Sequence, residues 1–144
     1  MVKGIFVFDS FTGNTEKVCI AAAASAGFAI FKVDNAPVDL SGYDVMILGT
    51  PNIRAMPSPA MTAYLEKVKP AKAWGLMVTF GVPVWGAISS SLCDVYVKGK
   101  LRASRFIASF KCPGYHGKFK TYHARPNLRD LQAAKRFGLR MRGG

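Results

Sequence analysis

The sequence predicts a three-layer α/β fold, a doubly wound five-stranded parallel sheet with helices on both faces. Three observations carry this. Five short runs rich in Val, Ile, Phe and Met alternate with polar crossovers, most of them of helix-forming composition. The runs are continuously apolar rather than strictly alternating, as befits strands buried on both sides. The chain has 144 residues, 50% of them apolar and 19% charged. That suits one packed domain, 1–144, and excludes disorder, collagen-like repeats and a coiled coil as the main state.

Lys3 to Phe8 (KGIFVF) reads as the first strand, bounded by the turn-prone stretch Asp9 to Thr15. Thr15 to Ala26 supplies helix formers with Glu16 in the first turn, and Gly27 stands where a C-terminal cap belongs. Phe28 to Lys32 is the second strand. The crossover Asp34 to Gly42 is too short for a good helix. Val45 to Thr50 is the third strand, and Ser58 to Val68 a helix whose apolar Met61, Tyr64, Leu65 and Val68 fall at steps of 3 and 4 before Pro70. Trp74 to Phe80 is the fourth strand. Ser89 to Val97 is a helix with a serine-rich, cap-like start, and Phe106 to Lys111 the fifth strand. Asn127 to Phe137 closes the chain as a helix, with Asn127 as cap, Leu128, Leu131 and Ala134 facing inward and Gly138 as the stop.

Sheets of this kind take ligands beyond the carboxyl ends of their strands. The loops to inspect are therefore 9–15, 51–59, 81–87 and the stretch after Lys111. In the first, Ser10-Phe11-Thr12-Gly13-Asn14-Thr15 lies between a strand and a helix. A phosphate there would meet the free amides of a helix N-terminus, with the hydroxyls of Ser10, Thr12 and Thr15 and the Asn14 amide to complete its shell. Gly13 lets the backbone wrap close. Neither a Walker A lysine nor a GxGxxG run is present, which argues against nucleoside triphosphates and the usual dinucleotide fingerprint.

This loop resembles the flavodoxin phosphate loop, a [ST]-x-T-G-x-T run after the first strand, matched by Ser10, Thr12, Gly13 and Thr15. The segment Tyr43 to Thr50 followed by Pro51 resembles that family's third strand and second flavin loop, and Val78 to Gly86 its fourth strand and third flavin loop. The resemblance runs over essentially the whole chain. It implies the strand order 2-1-3-4-5 and FMN as cofactor. The phosphate would lie on Ser10 to Thr15, and the ring between Thr50, Pro51, Asn52, Ile53 and Arg54 on one side and Phe80, Gly81, Val84, Trp85 and Gly86 on the other. It also implies electron transfer in which the flavin does the chemistry and the protein sets its potential.

Two departures stand out. The second loop, PNIRAMPSP, has no aromatic residue, so ring contact there would be aliphatic, with Trp85 as the aromatic candidate from the third loop or else a plug against the sheet edge. The same loop carries Arg54 and no acid. A cation about 8 Å from the ring at an effective dielectric of about 20 contributes roughly 2 kcal/mol, near 90 mV, and predicts a less negative potential for the last reduction step than acidic relatives have.

The net charge of +12 has a location. Residues 1–97 hold seven bases and seven acids, whereas residues 98–144 hold thirteen bases against Asp130 alone. The basic loop Lys111 to Arg125 and the helix face with Arg129, Lys135, Arg136 and Arg140 read as a solvated face, the dock of an acidic redox protein, or, less favoured, a nucleic-acid or anionic-lipid surface. No apolar run reaches membrane-span length and no leader pattern opens the chain, so a cytoplasmic protein, monomeric or a weak homodimer, is expected. Cys19, Cys93 and Cys112 form no CxxC pair and indicate neither a zinc site nor a disulfide framework. Cys112, in Cys112-Pro113-Gly114, reads as a turn residue. His116 and His123, without nearby acids, read as surface groups rather than metal ligands, and Tyr96 as an inward-packing helix residue.

The leading function is thus a flavodoxin-like electron carrier with a basic C-terminal docking face. The rivals are an FMN-dependent NAD(P)H or quinone reductase, and a flavodoxin-like interaction module that has lost tight flavin binding.

Overall fold

A computed structural model describes residues 1–115 and 124–143. The elements run β1 (Gly4–Phe8), α1 (Asn14–Ala26), β2 (Ala29–Lys32), a 3-10 turn (Val33–Asn35), β3 (Val45–Pro51), α2 (Pro59–Lys67), β4 (Ala73–Phe80), α3 (Trp85–Lys100), β5 (Arg105–Pro113) and α4 (Leu128–Arg142). The five strands form one parallel sheet in the order β2-β1-β3-β4-β5, the order the family resemblance implies. Parallel neighbours need crossovers, and the helices that supply them cover both faces. On one face α2 and α3 bury Met61, Tyr64, Leu65, Cys93 and Val97 against Ile5, Leu48, Trp74 and Leu76. On the other, α1 and α4 bury Val18, Cys19, Ala22, Ala134, Phe137 and Met141 against Phe6, Ile47 and Met77. Strands β1, β3 and β4, buried on both sides, explain the continuous apolar runs.

Local signals place most boundaries. Gly27 ends α1 in the left-handed region at φ 72°, and its N–H reaches the Ala23 carbonyl. Ser58 caps α2 by accepting from the Met61 N–H, with Pro59 in the first turn. Asn127 and Asp130 form a reciprocal capping box at α4.

Four expectations are corrected. Helix α3 begins at Trp85, four residues before Ser89, and its serines do not cap it. Ser90 is buried and its hydroxyl donates to the Gly86 carbonyl at 2.7 Å, one turn back. Gly138 does not stop α4, which continues to Arg142. It lies at the crossing with α1, where a Cβ would collide with the Ala22 carbonyl oxygen, and glycine there serves close packing rather than termination. Leu128 faces solvent, because the capping box sets the phase of the first turn and leaves Ala134, Phe137 and Met141 to make the contact. Cys112 belongs to β5, buried under α4, rather than to a turn. Tyr96 packs against the α2–α3 core as expected. His116, His123 and Lys118 to Tyr122 lie outside the described residues.

Candidate functional site

The strand order reverses between β1 and β3, whose neighbours lie in opposite directions along the sheet. Beyond the carboxyl ends of β1, β3 and β4 a cleft of about 350 Å³ opens, within the range of small-ligand pockets. Residues of three expected loops meet in it: Ser10, Phe11, Thr12, Asn14 and Thr15; Pro51, Asn52 and Ile53; and Phe80 and Gly81. Thr79 and Tyr115 complete the lining and were not foreseen. Among the described residues no carboxylate lines it.

The first loop is built for a helix-end ligand. Gly13 holds φ 90°, a conformation that favours glycine, and turns the chain into α1. The N-cap residue Gly13 has no side chain to offer, and the Asn14 and Thr15 amides have no partner among the described residues. The Ser10 hydroxyl accepts from the Gly13 N–H at 3.1 Å and the Glu16 N–H at 3.4 Å, standing where an anion's oxygen would collect the same donors. Two side chains do other work than expected. The Thr15 hydroxyl pairs with that of Thr79 at 2.7 Å on the buried cleft floor. The Asn14 amide donates to the Tyr115 carbonyl at 2.9 Å and anchors the end of β5 beside the cleft. Gly114 permits that approach, since a Cβ there would come within 2.5 Å of Asn14 Nδ2, and its N–H is bonded to the Phe80 carbonyl. Two acids flank this loop, Asp9, which is buried, and Glu16, exposed in the first turn of α1, and neither lines the cleft.

The second loop carries a tight hairpin. Ile53 and Met56 exchange both backbone hydrogen bonds across Arg54 and Ala55, which sit at φ 51° and 71°. This is the type I′ pattern, ordinarily filled by Asn-Gly. Asn52 fixes the hairpin to α3: its amide nitrogen donates to the Ser89 hydroxyl at 2.7 Å and its oxygen accepts from the Ala55 N–H at 3.0 Å. Arg54, at the tip, is exposed and outside the lining. Thr50 is buried, its hydroxyl accepting from the Ser58 N–H, and it holds the loop rather than facing the cleft.

In the third loop Val84 adopts φ 58°, ψ −67°, and the Trp85 N–H meets the Pro83 carbonyl at 2.6 Å, a strained γ-turn that starts α3. Gly86 lies against Phe80 and lets the helix begin there. Val84, Trp85 and Gly86 stand outside the cleft lining, and Trp85 is 62% exposed on the outer side of α3. The aromatic groups at the cleft are Phe11, Phe80 and Tyr115 instead. Tyr115 was hidden among the basic and aromatic residues after β5, and only the strand order brings it beside the first loop.

The donor set is neutral: helix-end amides, the Ser10 and Thr12 hydroxyls and a glycine turn, with no acid among the described residues that line the cleft. These residues fit a phosphomonoester held by hydrogen bonds and the helix field. The flanking Pro51, Ile53, Phe80 and Tyr115 fit a flat apolar group beside it. Burial pushes the Cys93 and Cys112 thiols up to about 12 and raises Cys19 further, which keeps all three in the less reactive thiol form. Among the described residues no cluster of His, Cys, Asp and Glu could hold a metal, and no helix is long and apolar enough to cross a membrane.

The chain shares its fold with known flavin proteins. It is similar to a flavodoxin from the domain Archaea (TM-score 0.74, 15% identity, 98% of this chain and 96% of that one). A WrbA-like flavodoxin from Agrobacterium tumefaciens is similar as well (0.72, 15%, 99% and 96%), as is the two-electron reduced flavodoxin of Megasphaera elsdenii (0.64, 16%, 98% and 99%). In sequence, no family model and no curated protein matches it. The fold is flavodoxin-like.

Proposed function

We propose that the chain binds FMN in this cleft and carries electrons between redox proteins, docking an acidic partner through α4. The observation that supports this best is the start of α1 at the strand-order reversal, where the Asn14 and Thr15 amides are unpartnered among the described residues and the described cleft lining is neutral donors and apolar walls. The Asn14 and Thr15 amides and the Ser10 and Thr12 hydroxyls would hold the phosphate. Pro51, Ile53, Phe80 and Tyr115 would border the ring and limit water around it. Bound FMN supplies one- and two-electron chemistry, and the protein's part is to hold it and set its surroundings.

The docking face is narrower than the charge count suggests. Lys111 is paired with Asp94 at 2.7 Å, Arg125 with Asp130, and Lys100 with Glu66. Arg129, Lys135, Arg136, Arg140 and Arg142 remain exposed along α4. Such a face would speed association with an acidic protein and make it salt-sensitive. Arg54, exposed at its turn, would raise the flavin potential by less than the 90 mV expected above, because solvent screens it.

The test is titration of the flavin-free protein with FMN, followed by fluorescence quenching. Binding at micromolar FMN, weakened by Thr12→Ala and by Gly13→Val, is the expected result. No binding at that concentration would leave an interaction module as the reading. Oxidation of NAD(P)H by the FMN-loaded protein alone would replace the carrier by a reductase.

A further inference from the structure

One exposed apolar stripe has no cover among the described residues. Trp85, Ile88, Leu92 and Val95 run along the outer side of α3 at steps of 3, 4 and 3, each between 50% and 65% exposed. Gly99 is the next step of four, and the space in front of its α-carbon is open. The stripe is uncharged in a chain of net charge +12. Asp94, the helix's only acid, is turned onto Lys111, while Lys98 lies over the Phe106 ring and Lys100 pairs with Glu66.

We propose that a second copy of this chain covers the stripe, with α3 packed antiparallel on α3 about a two-fold axis at Leu92. The spacing reads nearly the same in both directions from Leu92, with Trp85 and Gly99 each seven residues away and Ile88 and Val95 four and three. An interface that a two-fold axis repeats has to be self-complementary in this way. The axis sets the bulk of Trp85 over the gap at Gly99 and Ile88 against Val95. Steps of 3 and 4 are also the seam of shallow-angle helix pairs.

Area points the same way. The stripe with Val84 presents on the order of 500 Å² of apolar surface, toward the upper end of the roughly 300–600 Å² of the largest patch on a typical monomer, a size that often marks an interaction site. Taken from both copies and widened by the flanking Ala87 and Ser91, it comes near the lower bound of about 1,200 Å² for a stable interface. Repulsion does not prevent it, because the exposed cations of α4 lie across the sheet, on the α1 side. An acidic partner would find no cation on this stripe to pair with.

Sedimentation velocity over a concentration series, from micromolar to sub-millimolar, should show the wild type moving from monomer to dimer, and added salt should not weaken it. Leu92→Glu sets two carboxylates face to face and should weaken association by at least about 100-fold with the far-ultraviolet spectrum unchanged. Gly99→Ala should weaken it too, yet raise the melting temperature of the dilute protein, because alanine favours helix and its Cβ meets nothing in the monomer. Under mild oxidation Leu92→Cys should form a disulfide-linked dimer and Trp85→Cys should not, since antiparallel packing holds the two copies of position 85 about 20 Å apart. A wild type that stays monomeric throughout, or a Leu92→Glu protein that dimerises as well as wild type, would overturn the proposal. Cross-linking at position 85 would overturn the antiparallel arrangement.

Discussion

Two residues of this chain hold nearly the same left-handed backbone conformation with different side chains: Gly27 at φ 72° and Ala55 at φ 71°. Exchanging their types should move stability in opposite directions. An L-residue in this region carries a strain of roughly 1–2 kcal/mol that glycine does not. Glycine in turn adds about 0.4–1 kcal/mol of unfolded-state freedom that folding removes. The difference favours glycine by about 1 kcal/mol at both positions. Nothing lies within 4 Å of a Cβ built on Gly27, so no collision adds to the cost there. Ala55→Gly should therefore stabilise by about 1 kcal/mol, raising Tm by about 3–5 °C, and Gly27→Ala should destabilise by a similar amount. Urea unfolding with unchanged m-values is the measurement. Ala55 also stiffens the hairpin whose Ile53 borders the cleft, so the more stable Ala55→Gly protein should bind FMN more weakly. Movement of both variants in the same direction, or a loss of stability in Ala55→Gly, would refute the strain argument.

Three further outcomes follow from side-chain surroundings. Gly138→Ala should cost about 2 kcal/mol even after the roughly 1 kcal/mol that alanine gains in helix propensity, because its Cβ would press into the Ala22 carbonyl and the Ser25 hydroxyl; urea unfolding checks this. Burial raises the Asp130 carboxyl, but the Arg125 side chain and the Asn127 N–H together outweigh burial and hold it below the ordinary carboxylate range. Its stabilising contribution is therefore complete above about pH 4, the unfolded value, and lost as pH falls through the lower folded value. Asp130→Asn should flatten that acid limb in unfolding curves taken at several pH values, and cost about 1 kcal/mol at neutral pH through the weakened cap. The three buried thiols, all raised by burial, should resist a disulfide reagent at pH 8 in the native protein and react together once it is unfolded.

What was legible in the sequence divides by the range of the interaction. Residues 10–15 announced themselves because the strand, the glycine turn and the helix start are contiguous, and all but Gly13 line the cleft. Thr79 and Tyr115 reach the same cleft from the ends of β4 and β5, so no local pattern marks them. They are found only by following the strand order to its end. Asn14 and Thr15 line the cleft, and their side-chain partners Tyr115 and Thr79 leave no local signal because they lie 101 and 64 residues away. The start of α3 was misplaced for the opposite reason. Ser89 to Ser91 look like a cap, while the actual start is a γ-turn at Val84, a residue with no capping chemistry. Gly138 shows the same ambiguity: near a helix end glycine reads as a stop, and here α1 passing over it requires the missing Cβ.

The charge asymmetry gains a direction from the structure. Basic residues dominate the last third of the sequence, yet those on α3 and β5 that face Asp94, Glu66 or the Phe106 ring are held in place. Among the described residues, exposed Arg129, Lys135, Arg136, Arg140 and Arg142 gather on α4, on the α1 side of the sheet. The uncharged stripe of α3 lies on the opposite side. A partner drawn by charge and a second copy drawn by apolar surface would thus occupy different faces and need not compete. Salt separates them: raising ionic strength should slow reduction by an acidic partner while leaving self-association intact. If both processes weakened together with salt, the two-face assignment would fail and the α4 cations would have to belong to the self-association surface as well.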